Sequence, residues 1–67
     1  MIKISMLKAQ MAKKEKTGID IARELNIAPN TFYRKLKRGV LGTDEVTEII
    51  KYLDISKEDA INIFFTE

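Results

Sequence analysis

Asn30, Tyr33, Arg34 and Lys37 recur at i, i+3, i+4 and i+7, the spacing that lines residues along one face of a helix. That face would carry an amide that both donates and accepts, a phenol, a guanidinium fork and an ammonium. This chemistry suits planar hydrogen-bonding edges and anions, not the making or breaking of bonds. No reactive group appears elsewhere. The 67 residues include no His and no Cys, Ser5 and Ser56 have no evident base, and the carboxylates are scattered on helix surfaces or at caps. The sequence therefore reads as a binding protein and not an enzyme, with no cofactor, no structural zinc and no disulfide.

The surrounding residues say how such a face would be held. Pro29 suits the first position of a helix, because its fixed φ is already helical and its missing N–H would be unpaired there anyway. Phe32 and Leu36, four residues apart, turn inward and leave the polar set outside. Lys35, Lys37 and Arg38 crowd the C-terminal end, where positive charge meets the negative pole of the helix dipole, and Gly39 closes it. Upstream, Thr17 can cap a shorter helix whose apolar stripe is Ile21, Ala22 and Leu25. Asn26 tolerates the left-handed geometry of a helix end, and Ile27 re-enters the core. Two short amphipathic helices and a sharp turn thus fit into the 23 residues from Thr17 to Gly39.

In this segment the chain resembles the Cro and lambda-repressor-like helix-turn-helix domains of phage and bacterial transcription regulators. The resemblance extends over nearly the whole chain and rests on Thr17, Ile21, Ala22, Leu25, Ile27, Thr31, Phe32, Leu36 and Gly39. Ala22 is the small residue at the helix crossing, where a larger side chain would force the two helices apart. Gly18 stands where the family often has a polar residue near the DNA, so that contact is not carried over. Asn26 replaces the usual turn glycine, and Ala28 a usual capping serine. The resemblance implies an all-α, five-helix, single-domain protein that places the helix beginning at Pro29 in the major groove. Asn30 would then pair with an adenine edge and Arg34 with a guanine, while Pro29 meets a thymine methyl and Tyr33 a base, sugar or phosphate. Lys14, Lys16, Thr31, Lys35, Lys37 and Arg38 would hold the backbone, although Thr31 can equally bond back into the turn.

Charge is divided along the chain in keeping with this. Residues 1 to 42 hold ten Lys or Arg against three acids, which is +7, and residues 43 to 67 hold two against seven, which is −5; together they give the net +2. A basic half attracts phosphate, and an acidic half turned away limits indiscriminate adhesion. The remaining segments read as three more helices. The first carries Ile4, Leu7 and Met11. The fourth starts at a Thr43 cap and carries Val46, Ile49, Ile50 and Leu53. The last starts at a Ser56 capping box closed by Asp59 and carries Ala60, Ile61, Ile63, Phe64 and Phe65.

That last helix is apolar on more than one side. Ala60, Ile63 and Phe64 can face the core, and Ile61 and Phe65 lie on an adjacent face that either packs on the first helix or pairs two chains. Ile61, Phe64 and Phe65 are therefore candidate contacts of a homodimer on a palindromic operator, expected on DNA more than in free solution. They would equally serve a protein-interaction module, such as an antitoxin or antirepressor, in which DNA is secondary. No small-molecule effector is expected. No apolar run approaches the roughly 20 residues that span a bilayer, and the N-terminus lacks the parts of a secretory signal, so a soluble cytoplasmic protein is expected.

Overall fold

The computed structural model describes residues 2–65. Among them are five α-helices and no strand: α1 Ile4–Lys13, α2 Gly18–Glu24, α3 Pro29–Arg38, α4 Thr43–Leu53 and α5 Lys57–Ala60, the last running into a π-helical turn, Ile61–Phe65. The helices draw into a body of 28 × 23 × 20 Å.

One device ends four of the five helices. Glu15, Asn26, Gly39 and Asp54 all have positive φ, between 51° and 68°, which turns the chain out of the helix. In each case the next residue's N–H reaches back to a carbonyl five residues earlier: Lys16 to Met11 at 2.8 Å, and Ile27 to Ala22, Val40 to Lys35 and Ile55 to Ile50 at 3.0 Å. These bonds satisfy carbonyls that a helix end would otherwise leave open. Only Gly39 reaches the left-handed region without a Cβ penalty. At the other three the closing bond and the packing of the next segment must offset about 1–2 kcal/mol of local strain. Ile55, for example, is drawn into the core directly after Asp54.

The helix starts are more varied. Thr17 and Asp20 form a reciprocal capping box: the Asp20 N–H donates to Thr17 Oγ1 at 3.2 Å, and the Thr17 N–H donates to Asp20 Oδ2 at 2.8 Å. Helical spacing alone puts Asp20 simply on the wet side of the helix. Ser56 Oγ accepts from the Asp59 N–H at 3.1 Å, as expected, but Asp59 does not close the box: its Oδ2 accepts from Gln10 Nε2 on α1 at 3.1 Å. The fourth helix departs from expectation by one residue. Its cap is Gly42, and Thr43 is already helical; Glu45 reaches back to accept the Gly42 N–H at 2.9 Å. A carboxylate three residues on can do this whatever the cap's own side chain, so the Thr43 hydroxyl is not needed.

The core gathers from every helix, with Leu7, Ile21, Phe32, Ile49, Leu53 and Ile63 as its largest fully buried side chains. α2 packs chiefly on α3 and also on α4, with the methyl of Ala22 fully buried. The last segment corrects the expectation of one continuous α-helix. After a single α-turn it widens, and the carbonyl of Ile63 accepts the Lys3 N–H at 2.8 Å, tying the two ends of the chain together. Ile63 and Phe64, three and four residues after Ala60, both point inward, at 1% and 8% exposure.

Candidate nucleic-acid interface

The outward face of α3 is arranged as its spacing requires. Pro29, Asn30, Tyr33, Arg34, Lys37 and Arg38 are exposed, and Phe32 and Leu36 are buried on the opposite side. Ala28, in extended geometry, is the N-cap and offers no side-chain acceptor. Pro29 has no N–H, so the first-turn amides of Asn30 and Thr31 are the donors left open at this end of the helix, among the described residues. Together with the Asn30 side chain they present several donors at the positive pole of a ten-residue helix. Thr31 itself is half-buried.

The cations separate into groups that sequence spacing did not distinguish. Lys35 Nζ lies 2.8 Å from Glu45 Oε2, in a half-buried ion pair that braces α3 against α4. Its charge is spent within the protein, so of the cations expected to hold phosphate on α3, Lys37 and Arg38 remain. Lys14 is half-buried and its Nζ donates to the Asp54 carbonyl oxygen at 3.3 Å, at the far end of α4. Lys16 Nζ stands 5.3 Å from the Tyr52 ring centre, a cation–π contact that leaves the ammonium at the surface. Arg23, on α2, pairs with Asp20 at 3.5 Å. Among the described residues Arg34, Lys37 and Arg38 make no ion pair, so their charge is available to a partner.

Glu45 answers to two donors, and the Lys35 ammonium first and the Gly42 amide second hold its carboxyl below its ordinary value of 4.5. A group whose folded pKa is depressed contributes its stability above the unfolded value and loses it as pH falls through the folded one. Glu45→Gln is therefore expected to melt below the native protein at neutral pH. The gap should close as the pH is lowered beneath 4.5. Melting curves recorded across that range check both the sign and the window. Asp20 is lowered in the same sense by the Thr17 amide and then the Thr17 hydroxyl, and it titrates alike in both proteins.

Two features lie outside the site residues singled out from the sequence. Gly18 is buried at the start of α2, and a Cβ built on it would collide with the Tyr33 ring and hydroxyl; Tyr33 is seated over the glycine. Ile19, next to it, is 52% exposed, an apolar side chain off the Ile21–Ala22–Leu25 stripe. The second was readable from that phase; the first was not, because nothing in the spacing brings residue 18 to residue 33.

Of the candidate pairing residues, Phe64 belongs to the core at 8% exposure, whereas Ile61 and Phe65 are exposed at 45% and 66%. The burial of Phe64 follows the Ala60, Ile63 and Phe64 spacing that faces the core. Phe65 edges a groove of about 200 Å³ whose lining includes Ile2, Leu41, Thr43, Val46, Thr47 and Ile50. No helix among the described residues is long and apolar enough to cross a membrane. The chain matches no protein-family profile, no curated protein and no solved structure.

Proposed function

We propose that this chain binds double-stranded DNA in a sequence-specific way, as a Cro- or lambda-repressor-like helix-turn-helix regulator of phage or bacterial type, and acts by occupying an operator. One observation carries the reading: α3 is anchored on one side by Phe32 and Leu36 and presents Asn30, Arg34, Lys37 and Arg38 to solvent on the other, the last three making no ion pair among the described residues. A rigid helix with an amide and a guanidinium one turn apart has the dimensions and the donors for the major groove. Asn30 and Arg34 read base edges, Pro29 supplies an apolar contact, and Lys37 and Arg38 meet phosphates, with Lys16 at the periphery. The exposed apolar side chains of Ile61 and Phe65 support a symmetric pair on a palindromic site, with these two residues as its contacts.

Titration of labelled duplexes at several salt concentrations tests this. Binding to random duplex is expected to weaken linearly on a log–log scale, by about 0.9 log units per tenfold salt for each phosphate neutralised. Lys37→Ala should reduce that slope by about one phosphate and weaken all sequences alike. A second reading, a protein-interaction module working through Ile61 and Phe65, draws on the same exposed apolar surface. It predicts retention on neither heparin nor DNA, and a flat salt response would select it.

A further inference from the structure

Tyr33 occupies a junction of three helices that the face-counting of α3 does not anticipate. One side of it lies over Gly18 at the start of α2. It also lines an apolar cleft of about 280 Å³ between α1 and α3, whose other walls are Ile4, Lys8, Leu36 and Lys37. Packing against Gly18 fixes where the ring stands, because the glycine offers the only kind of surface that leaves it room. Nearly half of the tyrosine remains exposed, at 47%. Lys8, from α1, and Lys37, from α3, contribute their ammonium-bearing side chains to this cleft, and neither makes an ion pair among the described residues. An apolar floor between two unneutralised cations, with a phenol at its edge, complements a strand in which sugars alternate with phosphates.

We propose that Gly18 seats Tyr33 so that its ring and hydroxyl, with the ammonium groups of Lys8 and Lys37, grip one sugar–phosphate strand of duplex DNA. Deoxyribose packs on the Tyr33 ring above Ile4 and Leu36, and the flanking phosphates take the two lysines and the phenol hydrogen bond. Tyr33 then positions the protein and reads no base, and Gly18 is a positioning residue acting through it. Lys8, on a helix outside the two that form the turn, joins the interface. The inference rests on the DNA-binding reading above.

Its test is a salt titration of the full chain on a selected duplex and on random duplex. Lys8→Gln is expected to lower the slope by about 0.9, the contribution of one phosphate, whereas Lys57→Gln on α5, the same change in net charge, leaves it unaltered. Tyr33→Phe should weaken both duplexes by the same factor, about two- to tenfold for one hydrogen bond. Gly18→Ala should displace the ring and cost affinity in the native background but none in Tyr33→Ala; this cycle separates an effect through Tyr33 from a general loss of structure. Melting curves identify any variant that fails to fold, and Lys8→Gln and Tyr33→Phe alter exposed side chains and decide the matter without Gly18→Ala. Salt-dependent binding by the native protein combined with an unchanged slope for Lys8→Gln would overturn the inference and leave the DNA reading standing. A Tyr33→Phe variant that changes preference among sequences but not affinity for random duplex would do the same. No salt-dependent binding by the native protein would end both.

Discussion

Phe32→Ala is expected to leave the chain largely unfolded at physiological temperature. Phe32 is fully buried, with its ring centre 5.7 Å from that of Tyr33, and it fastens α3 to the rest of the core. Truncating a buried phenylalanine costs about 3–5 kcal/mol, part lost transfer energy and part the cavity left behind. A chain of this size has in total about 3–10 kcal/mol to lose, at 0.05–0.15 kcal/mol per residue. Circular dichroism during thermal and urea unfolding measures the loss. Phe32→Leu, which refills most of the volume, should recover much of it. A variant that melted within a few degrees of the native protein would show that α3 is held by something other than this side chain.

Arg34→Ala should produce the largest functional loss without a structural one. The side chain is exposed and makes no ion pair among the described residues, so truncation exposes no cavity and strands no partner. If the guanidinium forms two parallel hydrogen bonds to a guanine, its removal costs about 1–3 kcal/mol, about five- to 150-fold in affinity for the preferred duplex. Preference at one base pair should relax, and binding to scrambled duplex should change far less. Arg34→Lys is expected to rescue little, since a point charge cannot reproduce a planar fork. Selection of bound duplexes from a random pool, repeated with the variant, reads the effect position by position. An unchanged preference at every position would place Arg34 on the backbone and not at a base.

The contrast between Arg34 and its neighbour Lys35 marks the limit of sequence reading. Both are cations on one helix, and the resemblance implies Lys35 as a phosphate contact. In the folded chain its ammonium meets Glu45, ten residues away in sequence. That pairing depends on how α4 returns across α3, which is a matter of packing and not of period. Phe64 is a similar case. Spacing alone allows it both the core and a pairing surface, and the folded chain resolves it: Phe64 is 8% exposed and packed in the core.

What the chain's sequence determined by itself is local: where helices begin and end, and which side of each is apolar. Thr17, Pro29, Gly39 and Ser56 act within one turn, and burial at Leu7, Ile21, Ala22, Phe32, Leu36, Val46, Ile49 and Leu53 follows from their spacing. Only the tertiary structure decided that Gly18 makes room for Tyr33, that Lys8 and Lys37 border one cleft, and that Lys35 is already paired. Dihedral preferences and hydrophobic period act over a few residues. Contacts between α1, α2, α3 and α4 depend on how whole helices cross, which is set by the shapes of many side chains at once.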